Sequence, residues 1–156
     1  TGLRVSELVA LDLDSIVVDQ RGARVRCIGK GARERVIPIH DQALAALTQY
    51  LEEARPALVR NRKEPALFVN RRGERLTRQG FWLILKQYAR EANIERPVTP
   101  HTLRHSFATH MLRGGAPLRN VQELLGHANI STTQVYTQLT NEHVREVYEK
   151  AHPRAR

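Results

Sequence analysis

The sequence contains a single cysteine, Cys27, among its 156 residues. One cysteine excludes a secreted fold held together by disulfide bonds. The sequence also lacks any run approaching the roughly 20 apolar residues that a membrane-spanning helix requires, so we expect no membrane partner. Hydrophobic residues nevertheless make up 41% of the chain, which is enough to fill the core of one domain of this length.

Two common catalytic signatures are missing as well. Gly29-Lys30-Gly31 lacks the spacing, and the following Ser or Thr, of a nucleotide-binding phosphate loop. His101, His105 and His110 do not form an HExxH zinc motif, and no cysteine or carboxylate neighbours them suitably. We therefore expect no metal ion and no other cofactor.

Positive charge, in contrast, is abundant and clustered. Lys and Arg number 25 against 16 Asp and Glu, which gives a net charge of +9. Residues 21–35 carry +5 and residues 55–78 carry +6, so the rest of the chain is slightly acidic. Such clusters predict contacts with nucleic-acid phosphates that weaken as salt rises. The alternative is a solvated surface rich in arginine.

The first 40 residues predict a short helix followed by a three-stranded antiparallel meander. Apolar residues at positions 3, 5, 8, 9 and 11 follow helical spacing. The predicted strands are Ser15–Asp19, Arg24–Ile28 and Glu34–Ile39. The turn between the last two strands presents Lys30 between two glycines, which let the backbone bend tightly and leave the lysine projecting.

The remainder predicts helices, each with recognisable start and stop signals. The expected N-caps are Asp41, Thr77, Thr99, Ser131 and Asn141. The expected ends are Pro56, Gly114 and Gly126, and the last helix covers residues 141–151. The helix after Thr99 is expected to bury Leu103, Phe107, Met111 and Leu112. The predicted fold class is α+β, mainly α: a helical domain with one small antiparallel sheet.

Several polar residues occupy positions that suit phosphate chemistry. His101 and Arg104 are three residues apart on the first turn of a helix, where free backbone N–H groups favour an anion. His127 directly follows a helix end at Gly126, and Tyr136 comes nine residues later. Each residue alone also has an ordinary interpretation: a solvated pair, a loop histidine or a core tyrosine.

Five segments, taken together and in order, resemble the tyrosine site-specific recombinases. The segments are Thr1-Gly2-Leu3-Arg4-Val5-Ser6-Glu7-Leu8, Gly29-Lys30-Gly31, His101-Thr102-Leu103-Arg104-His105, Leu124-Leu125-Gly126-His127 and Tyr136-Thr137. The chain closely resembles the catalytic domain of the Xer branch, which resolves chromosome dimers. The resemblance extends over almost all residues to His152-Pro153-Arg154.

The resemblance implies a reaction and a set of roles. Tyr136 would attack a DNA phosphodiester, forming a 3′-phosphotyrosyl link and a free 5′-hydroxyl without metal or ATP. Arg4 and Arg104 would bind the non-bridging phosphate oxygens, and His127 would hydrogen-bond the same phosphate. His101 would act as base or orienting partner, and Lys30 as the acid for the departing oxygen. His105 and His110 are left structural.

The resemblance also implies partners and a location. The expected substrate is a double-stranded DNA recombination site, bound by a homo- or hetero-tetramer whose neighbours exchange the helix 141–151. A DNA translocase would be an activating partner, and the protein would be cytoplasmic and nucleoid-associated. Because the sequence starts at Thr1 inside an apolar periodic run, we expect residues 1–156 to be the C-terminal catalytic domain without its N-terminal core-binding domain. Open alternatives are a mobile-element integrase, a type IB topoisomerase-like enzyme and a non-catalytic DNA-binding relative.

Overall fold

The computed structural model of the chain describes residues 1–20, 22–29, 34–61, 63–126 and 147–153. The strands are β1 (Ile16–Asp19), β2 (Gly22–Ile28) and β3 (Glu34–Pro38). The helices are α1 (Val5–Ala10), α2 (Asp41–Gln49), α3 (Arg55–Leu58), α4 (Arg78–Glu91), α5 (Pro100–Arg113) and α6 (Leu118–Leu125). A 3₁₀ turn (Leu13–Ser15) precedes β1, a π-helical turn (Tyr50–Ala54) joins α2 to α3, and residues 147–151 are helical. The predicted mainly α fold with one small sheet is confirmed.

The sheet is an antiparallel meander in the order β1-β2-β3, as the sequence predicts. Ile16 pairs with Val25 across the first hairpin, and Ile28 pairs with Glu34 at the far end of the second. Along β2 the residues Ala23, Val25 and Cys27 are buried, while the arginines between them face the other side. This alternation explains why one face of the sheet packs into the protein.

The core lies between the buried face of the sheet and helices α5 and α6. Helix α5 contributes Phe107 and Met111, which are four residues apart and share one face. Helix α6 contributes the buried residues Val121, Leu124 and Leu125. Both helices are therefore fixed against β2 and β3 by apolar contacts. No helix in the described ranges is long and apolar enough to cross a membrane.

The N-terminus of α2 and its continuation differ from the prediction. His40, not Asp41, is the N-cap: its Nδ1 accepts a hydrogen bond from the Ala43 N–H at 3.2 Å. Asp41 lies in the first turn instead, where the positive end of the helix dipole stabilises its carboxylate. Pro56 does not end the helical path either. In the π-helical turn the N–H groups bond carbonyls five residues back, as Arg55 N–H does to Tyr50, and the helical path continues through Pro56 to Leu58.

Helix α5 begins where predicted but buries fewer residues than expected. Thr99 is its N-cap and exchanges hydrogen bonds with Thr102. Thr77 caps α4 by accepting a hydrogen bond from the Gly80 N–H at 3.0 Å. Leu103 is 45% exposed because it lines a cleft of about 240 Å³ between α1, α4 and α5. Leu112 is 41% exposed because it lies beside Met111, off the buried face.

The C-terminal segment, residues 147–153, packs against the core of the same chain. The buried Tyr148 ring stacks on His152 with ring centroids 4.9 Å apart, and His152 also contacts His40 at 4.9 Å. Phe107 of α5 closes this aromatic cluster 6.4 Å from Tyr148. Burial raises the pKa of the Tyr148 hydroxyl to about 12. The predicted caps Ser131 and Asn141 and most of the helix 141–151 lie outside the described residues.

Two valines of the sheet provide a test of this packing. Val25 is 1% exposed and Val18 is 61% exposed, although both lie on strands of the same sheet. Val25→Ala is expected to lower the free energy of unfolding by about 2 kcal/mol, because two buried carbon atoms are lost and a cavity remains. Val18→Ala is expected to change it by less than about 0.5 kcal/mol. Urea unfolding followed by circular dichroism measures both, and equal effects would contradict the described orientation of the sheet.

Candidate active site

Arg4 lies at the N-cap of α1, where its backbone and side chain meet Glu7. The Arg4 backbone N–H donates to Glu7 Oε2 at 2.7 Å, and Arg4 Nη1 donates to Glu7 Oε1 at 3.0 Å. Arg4 Nη2 donates to the Gly126 carbonyl at 3.1 Å. The Arg4 side chain is still 39% exposed, and a guanidinium has five N–H donors. Donors therefore remain for a ligand.

Arg104 comes from the first half of α5 and reaches the same place. Its Nη1 donates to the Gly2 carbonyl at 2.7 Å, and its Nη2 donates to the Leu125 carbonyl at 2.6 Å. Gly2 has φ +63°, and a Cβ there would lie 2.4 Å from the Phe107 ring, so glycine suits this close approach. Burial, and then the charge of Arg4, lowers the pKa of the Arg104 guanidinium. Two positive charges are therefore held close together.

Both arginines are fixed at the C-terminal end of α6. The Gly126 and Leu125 carbonyls accept from Arg4 and Arg104, and the Leu124 carbonyl accepts from Arg35 Nε at 3.0 Å. Carbonyls at a helix C-terminus lack intrahelical partners and carry the negative end of the dipole, which favours cations. We call Arg4, Arg35, Arg104 and Glu7, with the three carbonyls, the arginine cluster.

Glu7 is the one buried charged side chain in the part of the chain that the structure describes, with 6% exposure. It accepts from Arg35 Nη1 and Nη2 at 2.8 and 2.7 Å, in addition to its bonds from Arg4. Burial acts to raise the pKa of the Glu7 carboxyl, but the arginine hydrogen bonds outweigh burial and lower it to about 2. Glu7 is therefore ionised at neutral pH, and the cluster keeps a net positive charge of two.

His101 lies one helical turn before Arg104, in the first turn of α5. Its side chain is exposed and forms no hydrogen bond or ion pair with any other residue in the described ranges. The structure thus places Arg4 and Arg104 together at the end of α6, and His101 one turn before Arg104 on α5. Lys30, His127 and Tyr136 lie outside the described residues.

Sequence reasoning assigned no role to Glu7 or Arg35, although the structure joins both to Arg4. Each carries a recognisable signal. Glu7 lies on the apolar helical face of α1, four residues after Leu3 and four before Leu11. Arg35 shares its strand face with the fully buried Ile37. A charged residue on an apolar face predicts a buried partner of opposite charge.

The arrangement suits a tetrahedral oxyanion such as a phosphodiester. Arginine offers paired N–H donors that match phosphate oxygens, and the partly exposed Arg4 faces Arg104 across adjacent carbonyls. No group of three His, Cys, Asp or Glu side chains within the described ranges is arranged to hold a metal ion.

Comparison with known proteins identifies related chains. The model of the phage integrase family matches residues 1–143. Tyrosine recombinase XerD of Listeria innocua is 57% identical over 156 residues, which cover 99% of this chain and 52% of that protein. Tyrosine recombinase XerC of Herpetosiphon aurantiacus is 59% identical over 142 residues, which cover 91% of this chain and 45% of that protein. The chain thus spans about half the length of these relatives.

Solved structures show the same architecture. The crystal structure of XerA recombinase matches with a TM-score of 0.73 and 34% identity, covering 99% of this chain and 55% of that one. The XerH recombinase bound to its difH substrate, in a pre-cleavage complex, matches with a TM-score of 0.71 and 28% identity. That match covers 96% of this chain and 43% of XerH.

The depressed pKa of Glu7 predicts a specific loss of stability in acid. A carboxyl whose folded pKa is about 2, against an ordinary 4.5, stabilises the folded state above pH 4.5, and this contribution is lost as the pH falls towards 2. The contribution is on the order of 3 kcal/mol. Glu7→Gln should therefore flatten the dependence of the unfolding free energy on pH between 4.5 and 2.

The control is Asp14→Asn, which removes an exposed carboxylate close to the same sheet. Urea unfolding at pH 2.5, 3.5, 4.5 and 7 measures all three proteins. In the control the loss of stability between pH 4.5 and pH 2 should persist, because Glu7 and its arginine partners are intact. A Glu7→Gln curve parallel to the wild type would show that Glu7 is not held ionised by the arginines.

Proposed function

Because the chain belongs to the phage integrase family, we propose that it is the catalytic part of a tyrosine recombinase, which cuts and rejoins DNA at a specific site. The observation that supports the proposal most directly is the pairing of Arg4 and Arg104 on adjacent carbonyls at the end of α6. The identity to proteins named XerD, up to 57%, favours an Xer-like role in resolving chromosome or plasmid dimers over mobile-element integration.

Arg4 and Arg104 would bind the two non-bridging oxygens of the scissile phosphate. Negative charge gathers on those oxygens in the pentacoordinate transition state, so guanidinium groups held in advance stabilise it more than the ground state. Both side chains are oriented by protein carbonyls, not by the substrate. Little reorganisation is then needed when DNA binds. Lysine would be a weaker substitute at either position because it lacks the planar fork.

The nucleophile would be Tyr136, with proton transfers assigned to His101 and Lys30. The phenolic oxygen attacks phosphorus, the bond from phosphorus to the 5′-oxygen breaks, and a 3′-phosphotyrosyl ester forms. His101 takes or orients the phenol proton, since an ordinary tyrosine pKa near 10 leaves the phenol protonated at neutral pH. Lys30 gives a proton to the departing 5′-oxygen, and His127 hydrogen-bonds the phosphate. Attack by another 5′-hydroxyl reverses the step, so no ATP is required.

The substrate would be a double-stranded recombination site, and the protein would act where chromosomal DNA lies. XerH is described bound to its difH site, which supports this class of substrate. The clusters at residues 21–35 and 55–78 supply positive charge for the DNA backbone. We further propose assembly as a tetramer on DNA in which neighbours exchange the helix 141–151, with a DNA translocase as activator. The pocket that holds Tyr148 within one chain would accept the same residue from a neighbour.

Covalent capture tests the nucleophile. Full-length protein incubated with a nicked suicide substrate should form a protein–DNA adduct that survives SDS, because the released strand cannot rejoin. Tyr136→Phe should abolish the adduct, since it removes the attacking oxygen. The matched control is Tyr88→Phe, a tyrosine that is 64% exposed on α4 and should leave adduct formation unchanged. Denaturing gel electrophoresis measures the adduct.

The other outcomes separate the alternatives. An adduct with Tyr136→Phe would refute the assignment of the nucleophile. Salt-sensitive DNA binding without any adduct would favour the non-catalytic DNA-binding relative. Relaxation of supercoiled DNA without pairing of two sites would favour a topoisomerase-like enzyme.

A substrate with a better leaving group tests Lys30. Lys30→Ala should lower the cleavage rate by about 100-fold or more, because a general acid is lost. Replacing the bridging 5′-oxygen by sulfur should restore the rate of Lys30→Ala nearly to that of the wild type, since a thiolate leaves without protonation. The same substrate should not rescue Arg104→Gln, whose defect concerns the non-bridging oxygens. Single-turnover cleavage on both substrates makes the comparison, and equal rescue of the two variants would contradict the role of Lys30.

A further inference from the structure

Arg35 is more buried than Arg24 and Arg26, the other arginines of its basic segment that the structure describes. It lies near the start of β3, opposite Cys27, and its side chain is only 13% exposed. All three of its nitrogen atoms donate to protein oxygens: Nη1 and Nη2 to the two oxygens of Glu7, and Nε to the Leu124 carbonyl. A guanidinium committed in this way is poorly placed to bind DNA. Its charge is directed inward.

The hydrogen bonds from Arg35 to Glu7 determine how far Glu7 neutralises the positive charge of Arg4. Glu7 also accepts the backbone N–H and Nη1 of Arg4, so its two oxygens are shared between two arginines. Without Arg35, Arg4 would be the one remaining partner of the buried carboxylate among the described contacts. The positive charge of Arg4 would then be largely neutralised. Because Arg35 also compensates the negative charge of Glu7, Glu7 can orient Arg4 without neutralising the positive charge of Arg4.

Arg35 also sets the end of α6. A Cβ on Gly126 would lie 2.8 Å from Arg35 Nη1, and Gly126 has φ +65°, so the helix end fits closely around the guanidinium. The carbonyls of Leu125 and Gly126, which follow Leu124, hold Arg104 and Arg4. Lys30 precedes Arg35 by five residues in the sequence. Arg35 therefore ties the sheet directly to α1, through Glu7, and to the end of α6, through the Leu124 carbonyl.

We propose that Arg35 is a positioning residue for strand cleavage: through Glu7 and the end of α6, it holds Arg4 and Arg104 in the arrangement that receives the scissile phosphate. This inference rests on the proposed recombinase function. It assigns Arg35 no contact with DNA. The role also requires the planar guanidinium of arginine. Its three nitrogen atoms bond the two Glu7 oxygens and the Leu124 carbonyl separately, and the single nitrogen of a lysine cannot reproduce that geometry.

The test compares cleavage with DNA binding in the full-length protein. Arg35→Gln should lower the single-turnover cleavage rate on a nicked suicide substrate by about 100-fold, because misplaced phosphate-binding groups no longer meet the transition state. Arg35→Lys keeps the charge without the fork and should lower the rate by about 10-fold. The Kd for the uncleaved site should change less than about 3-fold in both, since neither variant removes a phosphate contact. The control is Arg119→Gln, an exposed arginine paired with Glu123 on α6, which should cleave at the wild-type rate.

The pH profile separates positioning from mere loss of structure. In the wild type Glu7 stays ionised throughout the range in which cleavage is measured, because the pKa of its carboxyl is about 2. In Arg35→Gln the buried carboxyl loses its main partner, so its pKa rises and the rate should fall further between pH 7 and pH 5 than in the wild type. Adding Glu7→Gln to Arg35→Gln should remove this extra fall. The two substitutions should also be non-additive, because their side chains interact.

The outcomes distinguish this inference from the proposed function. A wild-type protein that forms no adduct refutes the recombinase proposal itself. If the wild type cleaves, then wild-type rates in Arg35→Gln and Arg35→Lys overturn the positioning role. Losses of DNA affinity as large as the losses of rate would also overturn it, because Arg35 would then be a phosphate contact. Should Arg35→Gln fail to fold, as thermal unfolding would reveal, the rate and affinity of Arg35→Lys decide the question.

Discussion

The end of helix α6 is where this fold brings its distant parts together. Three consecutive carbonyls there accept hydrogen bonds from arginines on β3, α5 and α1. Such carbonyls have no partner within their own helix, and in water they would be solvated. Here guanidinium groups replace water as the hydrogen-bond donors, and the buried Glu7 holds two of them, Arg4 and Arg35, by accepting their hydrogen bonds. The geometry of the arginines that we propose to bind phosphate is therefore set by the protein's own hydrogen bonds.

Packing makes this arrangement durable. The helices that carry Arg4 and Arg104 are joined to the sheet through a core that includes Val25, Ile37 and Met111, each at most 1% exposed. Arg75 strengthens the other end of α1 by donating to the carbonyls of Val9 and Leu11. Arginines thus satisfy carbonyls at the C-termini of both α1 and α6. A high arginine content serves internal structure here as well as charge on the surface.

Features of the fold that depend on a few neighbouring residues could be predicted from the sequence. Features that depend on contacts between distant residues could not. The sheet and the start of α5 were predictable because alternation along β2 and the Thr99-Pro100 pair act within a few residues. Two features at α2 were not. A histidine cap depends on the orientation of one imidazole, and the π-helical turn before Pro56 is a backbone adjustment without a residue code. The exposure of Leu103 depends on the distance between α4 and α5. The spacing of apolar residues along α5 does not predict that distance.

The candidate site divides in the same way. Arg4, His101 and Arg104 were predicted as site residues because short motifs and a family resemblance mark them. Arg35 was counted only as part of a basic segment, since its partner Glu7 lies 28 residues away and pairing at that distance leaves no periodic trace. Charge clustering reported the number of arginines but not which of them face inward. A charged residue that lies on the apolar face of its own helix or strand can be predicted to face inward, and Glu7 and Arg35 both meet this criterion.

The C-terminal segment carries a consequence for assembly. Tyr148 and Ala151 fill a socket whose walls, Phe107 among them, are present in every copy of the chain. A neighbour's segment would meet the same walls, so exchanging one for the other leaves the buried area nearly unchanged. In the proposed exchange, the balance between a closed monomer and a linked assembly would depend on the effective concentration of neighbouring chains. DNA that held copies side by side would raise that concentration without adding a single new contact.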